Sequence, residues 1–297
     1  MATNIEAAPR RSLHFEPRKV AESPGDRVFG AISHTALAIW SLIVILPLLW
    51  TFMSSFKSSE EIFSSPFALP KVWHFDNYIR AWTSAGIGSY FLNSVIVVGF
   101  ALLIVMTLGA MCAYVLARYT FPGSKAIYYL LLAGLTFPIF LAMVPLFFIL
   151  RNIGLLNTLP GLIVTYVGFA LPFTVFFLFS FFKTLPHEIT EAASIDGAGE
   201  WRTFFQVMLP MAKPGLASVA IFNFLGLWNQ FLIPVSINAA GPRVLSQGLA
   251  AFAGQMGYAV DFGALFAAVT VTVVPVLIVY VIFQRQLQGS VSAGTMK

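Results

Sequence analysis

The stretch EITEAASIDGAGEWRTFFQVMLP, Glu188 to Pro210, interrupts a chain that is otherwise long, apolar and sparsely charged. It carries Glu188, Glu191, Asp196 and Glu200, a third of the 12 acidic residues in a chain of 297. A water-seeking, glycine-punctuated segment between two greasy runs makes sense if the runs cross a membrane and the segment does not. Composition agrees. The chain is 58% hydrophobic and 10% charged, with a mean hydropathy of +0.84, whereas a soluble domain is about one-quarter charged. The expected class is therefore an all-α polytopic membrane protein.

Outward from the stretch, six spans are predicted, at about Ser33–Met53, Phe91–Ala117, Ala126–Leu150, Pro160–Phe182, Pro214–Val235 and Phe262–Phe283. Each is close to the ~20 residues that cross a hydrocarbon core. Helices are expected because a spanning backbone must pair its own polar groups. Residues 1–32 read as a cytosolic tail, 33–283 as the transmembrane body with a hairpin at 183–213, and 284–297 as a second cytosolic tail. With the N-terminus inside, 12 of the 17 Lys and Arg residues fall on the cytosolic side, the bias that sets orientation in membranes. The net charge of +5 is then spent on topology and anionic lipid, not on nucleic acid. In the first outer loop, Trp73, Phe75, Tyr78 and Trp82 predict a short helix at the interface. Cys112, the lone cysteine, offers neither an intrachain disulfide nor a zinc cluster.

Several function classes lose ground. None of the acidic residues falls inside a predicted span, which weighs against an ion-coupled secondary carrier, the alternative reading. The chain lacks a GxxxxGK[ST] phosphate loop and an HExxH pair, and no base within a span could activate a serine. A hydrolase is the more distant alternative, and a channel would need a filter-like loop or a charged ring. The chain reads as a transport path without its own motor. Inside the fifth span, Asn223, Gly226 and Gln230 recur at helical spacing and would share a face, either along a polar path or against another helix. Gly263, Ala267 and Thr270 form a small-residue face in the sixth. Pro47, Pro138, Pro145, Pro172 and Pro275 fall inside spans and favour kinks.

Within the opening stretch, Pro186, Glu188 and Glu191 suit a helix start, Gly197 a turn, and a second helix is expected over about Glu200–Met208. Two uses remain open for such a hairpin. It could lie on the membrane with Phe204, Phe205 and Met208 in the interface, or dock into a groove on a cytosolic partner.

The segment EAASIDGAGEWRTFFQVMLPMAKPG resembles the EAA loop of binding-protein-dependent ABC importer permeases, matching at Glu191, Ala192, Ala193, Asp196, Gly197, Ala198, Leu209 and Pro210. The likeness extends along SSFKSSEEIFSSPFALP (Ser54–Pro70), Asn77–Tyr78, Asn93–Ser94, AYVLARYTFPG (Ala113–Gly123), GLLNT (Gly154–Thr158), LWNQFLIP (Leu227–Pro234) and the ending FQRQLQGSVSAGTMK. These are similar to the maltose-type, carbohydrate-carrying subfamily, in which many relatives have an acid where this chain has Gln230. The resemblance implies a type I ABC importer permease-like body in a bacterial or archaeal plasma membrane. It implies a second related permease, two ATP-binding ATPase subunits that hold ATP and Mg, an extracytoplasmic solute-binding protein and a sugar substrate. No cofactor is expected on this chain. Glu191, Ala192, Ala193, Asp196, Gly197 and Ala198 would couple to the ATPase. The tail Gln286–Lys297, including Gly289, Gly294 and Lys297, would reach toward it.

Overall fold

The computed structural model describes residues 24–254 and 260–293, and every element among them is a helix. The chain divides into two compact units, Met1–Leu49 and Trp50–Lys297. The first unit contains most of α1 (Pro24–Ser54). Its apolar side chains, among them Leu42, Ile43 and Leu46, are exposed. His34 and Thr35 turn their polar atoms back onto the carbonyls of Gly30 and Ala31, so the helix offers lipid few unpaired groups.

In the second unit, α2 (Ser59–Ser64) and α3 (Asp76–Trp82) occupy the segment predicted as the first outer loop. Phe56 sits among Phe52, Trp73, Phe75 and Tyr78, so the loop aromatics form a cluster of their own. Lys57, one of the five Lys and Arg residues that the charge count leaves on the outer side, is fully buried; its ammonium donates to the carbonyls of Ser65 (2.9 Å) and Pro66 (3.1 Å).

The central pair is α4 (Ile87–Arg118) and α7 (Leu159–Thr184). They run parallel, since Arg118 at the end of α4 donates to the carbonyl of Leu185 just beyond α7. Val97, Ala101, Val105, Gly109, Ala113 and Ala117 recur every fourth residue on α4 and are all buried. Leu162, Tyr166, Ala170, Thr174, Leu178 and Phe182 do the same on α7. Small residues in the α4 row allow close approach, the usual route to affinity between helices in lipid. A Cβ on Gly109 would stand 2.4 Å from the Thr174 methyl carbon.

Two expected spans are interrupted. The third is two helices, α5 (Ser124–Thr136) and α6 (Ile139–Asn152), bent by 106° at Phe137–Pro138. Proline disfavours the helical region for the residue before it, and Phe137 is extended (φ −73°, ψ 119°). Pro47, Pro145, Pro172 and Pro275 lie within unbroken helices. The fifth span is α10 (Lys213–Trp228), which stops before Asn229 instead of running to Val235. A helix continued through Pro234 would clash at the Gln230 carbonyl. That carbonyl instead accepts from the Ser246 hydroxyl at 2.8 Å, and the chain resumes as α11 (Leu232–Ile237) and α12 (Leu245–Ala253). The last helix, α13 (Phe262–Ala293), runs well past the expected end at Phe283. Its start packs on the outer loop: a Cβ on Gly263 would lie 2.6 Å from the Lys57 carbonyl oxygen, and Ala264, Ala267 and Ala268 are buried.

Candidate coupling hairpin

Beyond α7 the chain forms α8 (Glu188–Ile195), a turn, and α9 (Glu200–Met211), bent by 75° from α10. Asp196, Gly197 and Ala198 make the turn. Gly197 has φ +75°, its N–H donates to the Ser194 carbonyl (3.1 Å), and the Ala198 N–H donates to the Ala193 carbonyl (2.9 Å). This pair of bonds around a left-handed glycine is a Schellman stop, which satisfies the carbonyls a helix end leaves free. The spacing from EAA to DGA is therefore the length of the last turn of α8 plus its stop signal.

The second limb contains a feature that no residue pattern announced. Thr203–Met208 is π-helical, with the Leu209 N–H reaching the Phe204 carbonyl. Pro210 follows and lacks an N–H, so the wider turn accommodates it without ending the helix.

α8 has two faces. Ile189 turns inward with Phe204 and Met208, which are 4% and 0% exposed, into a floor that includes Tyr114, Leu178 and Phe182, and Ala193 is buried at 7%. The rings of Tyr114 and Phe204 lie 5.0 Å apart, and those of Tyr114 and Phe182 5.7 Å. Phe204 and Met208 therefore pack within the chain and do not lie in the membrane interface; of the three residues expected there, Phe205 alone is exposed. Glu188, Glu191, Ala192 and Ile195 form the outer face, all exposed, with Ile195 at 86%. Their i, i+3, i+4, i+7 spacing places them on one ridge. The two adjacent alanines thus separate: Ala193 serves the hairpin's own packing and Ala192 faces out. Asp196 and Gly197 are exposed at the tip, and Ala198 is half-buried.

Two side chains at the end of α4 fasten this hairpin. Arg118 donates to the Leu185 carbonyl at 2.9 Å, at the entry to the first limb. The Tyr119 hydroxyl donates to the Glu200 carboxylate, at the start of the second. Burial, then the bonds to Glu200 and Tyr114, raise the Tyr119 phenol far above its ordinary range, so it stays a neutral donor. The Ala113–Gly123 segment thus holds both limbs at their roots.

The other predicted site residues do not assemble into one surface. Asn223 is buried and donates to the Thr174 hydroxyl at 2.8 Å, binding α10 to α7. Gly226 is exposed, and Gln230 lies beyond the end of α10, so the three do not share a helical face. Gly289 lies within the backbone of α13, while Gly294 and Lys297 lie outside the described residues.

At the far end of the second unit, polar contacts link distant segments. Arg80 pairs with Asp261 (2.6 Å) and also bonds Asp76 and Asn77. Burial pushes the Asp261 carboxyl up, but the Arg80 hydrogen bond and the Ala264 and Gly263 N–H groups outweigh it and hold the carboxyl below its ordinary value. Asn77 donates to the Ser55 and Lys57 carbonyls. The Ser94 hydroxyl accepts from the Leu245 N–H at 2.7 Å, and Asn93 donates to the Arg243 carbonyl at 2.9 Å. Asn157, at φ +60°, bonds Ile237 and Ala240. The short Asn77–Tyr78, Asn93–Ser94 and GLLNT matches thus supply polar ties to the backbone of distant segments.

Residues 105–292 match the family described as "Binding-protein-dependent transport system inner membrane component". The diacetylchitobiose uptake system permease protein NgcG of Streptomyces coelicolor is 67% identical over 278 residues, covering 93% of this chain and 92% of that relative. The trehalose transport system permease protein SugB of Mycobacterium tuberculosis is 33% identical, covering 90% and 99%. A chain from the crystal structure of a bacterial ABC transporter involved in the import of the acidic polysaccharide alginate superposes with a TM-score of 0.77 at 22% identity, covering 90% of this chain and 99% of that one. That likeness extends to the fold.

Proposed function

This chain belongs to the family of binding-protein-dependent transport system inner membrane components, and from that premise we propose that it is one permease half of an ATP-driven sugar importer. It would pair with a second related permease, two ATPase subunits that bind ATP and Mg, and an extracytoplasmic solute-binding protein. Both termini and the hairpin would face the cytosol, in keeping with the Lys and Arg bias. The observation that carries the sugar assignment is the 67% identity over 93% of the chain to a diacetylchitobiose permease. A short oligosaccharide of N-acetylated amino sugars is accordingly the first substrate to test.

The exposed ridge of Glu188, Glu191, Ala192 and Ile195 supports docking to the ATPase. It joins two carboxylates, a small residue that permits close approach and an apolar side chain exposed to 86%. The opposite face of α8 is locked into the permease, so a push on the ridge would act on α4 and α7 together. Glu191 and Ala192 would touch the ATPase, while Asp196, Gly197 and Ala198 would keep the ridge in shape. Asn223, Gly226 and Gln230 remain candidates for the path through separate contributions, with Asn223 acting as a tie between helices.

Reconstitution of the full complex in vesicles tests this. Uptake of diacetylchitobiose should require ATP and the binding protein. Glu191→Lys should reduce it by at least about tenfold, the effect of a like charge or unpaired ion at a docked face, with normal amounts of permease in the membrane. Uptake driven by an ion gradient without ATP would replace this reading with the carrier alternative.

A further inference from the structure

A groove follows one side of α4 and ends at the root of the hairpin. One hollow of about 550 Å³ lies between α4, α9 and α10, with Leu103, Met106, Thr107, Phe205, Leu209 and Leu216 among its walls. A second, of about 350 Å³, meets it at Phe204, which lines both, and is closed by Tyr114, Val115, Tyr119, Glu200 and Trp201. The α4 residues of the two hollows run from Gly99 to Val115, a rise of about 24 Å at 1.5 Å per residue. That is the scale of one acyl chain with its glycerol, and longer than the ~15 Å half-thickness of a hydrocarbon core.

The two ends of this groove differ in chemistry. Along α4 it is apolar. At the hairpin it becomes aromatic, and Glu200 is the one charged residue lining either hollow. The Glu200 carboxylate is fixed by the Tyr119 hydroxyl, whose ring is braced edge-on by Tyr114 at 5.8 Å. Trp201 is 65% exposed and held parallel to Phe205 at 5.9 Å. Aromatic faces around a carboxylate attract an organic cation and repel an anionic headgroup. Tyr119 directly follows the end of the spanning α4, and Tyr and Trp near the ends of membrane helices are also the residues that settle at lipid headgroups.

We propose that the groove holds one phospholipid with a primary-ammonium headgroup, phosphatidylethanolamine being the probe: an acyl chain lies along α4 and the ammonium sits between Tyr119 and Trp201 against Glu200. The competing occupant is a membrane helix of a partner chain. A third hollow continues past Gly99 and Leu102 toward Trp82 and Phe91. A spanning helix would fill all three hollows, whereas a single lipid needs the two nearest the hairpin.

Native mass spectrometry of the intact transporter complex tests the proposal. The complex is equilibrated with equal amounts of phosphatidylethanolamine and phosphatidylglycerol. Retention of phosphatidylethanolamine by about fivefold over phosphatidylglycerol is expected, the size of a partly exposed ion pair with Glu200 supported by the aromatic faces. Glu200→Gln should abolish this preference, and Trp201→Ala should weaken it. Equal retention in the wild type, or a preference that survives Glu200→Gln, overturns the proposal. A benzophenone amino acid at Leu103, which lines only the first hollow, gives an independent reading without touching the headgroup site, so it decides even where Glu200→Gln fails to assemble. A lipid-mass adduct there supports the proposal, and cross-linking to another polypeptide gives the groove to a partner helix.

Discussion

Gly197 has a left-handed backbone, φ +75°, and open space where a Cβ would go. Its demand is conformational, unlike that of Gly109, where a Cβ would meet Thr174 at 2.4 Å. Left-handed backbone costs an ordinary L-residue ~1–2 kcal/mol, and asparagine tolerates it better. Uptake should therefore fall in the order wild type, Gly197→Asn, Gly197→Ala, Gly197→Val, at constant membrane abundance. Transport by the alanine and valine variants equal to the asparagine variant would remove the conformational requirement. This residue was legible because Asp-Gly after a helical run carries its own turn chemistry. The neighbouring alanines were not. Ala192 and Ala193 are the same residue side by side, and only the register of α8 on its floor assigns one outward and the other inward.

At the scale of elements, the existence of the spans was legible and their inner faces were not. In water, hydrophobic periodicity marks the buried side of a helix. In lipid both sides are apolar, and α4 exposes Leu92, Phe100, Leu103 and Leu108 while burying Ala101, Gly109 and Ala113. The inner face is written in residue size, with a four-residue repeat, because the partner helix must come close. Gly109→Leu should therefore destabilise the α4–α7 pair by about 1–3 kcal/mol, the range for overpacking, and Ala113→Leu by a similar amount. Leu103→Ala, on the exposed side, should be nearly neutral. Thermal denaturation of the purified protein in detergent measures all three, and equal shifts would contradict the assignment of faces. The breaks were only partly legible. Pro138 and Pro234 accompany breaks, yet Pro47, Pro145, Pro172 and Pro275 lie within unbroken helices, because membrane helices often tolerate proline when neighbours satisfy the freed carbonyls.

Across the whole second unit, small-residue packing fills the middle and polar ties hold the ends, with the buried Asn223–Thr174 bond as an interior link. Arg118 and Tyr119 tie the hairpin end, and Arg80 and Asp261, 181 positions apart, tie the other. Such pairs are invisible in a single sequence, since charge counting places both residues in outer loops without joining them. Asp261 also accepts from the Ala264 N–H at 3.0 Å, so one carboxylate both caps α13 and anchors α3. An asparagine there keeps a carbonyl for the cap and loses the charge that meets Arg80. The two side chains are 40% and 35% exposed, so the loss should be about 0.5–1 kcal/mol at neutral pH after screening. The sign of the pH dependence follows from the lowered carboxyl. Its stabilisation is complete above the ordinary value of 3.8 and disappears as the pH falls through the still lower folded value. Melting curves of wild type and Asp261→Asn should therefore be separated at pH 7, remain separated at pH near 5, and converge only under stronger acid, below about 4. A gap that closed already between pH 7 and 5 would mean that another group controls this end of the protein, and a gap unchanged in strong acid would mean that the carboxylate charge contributes nothing to it.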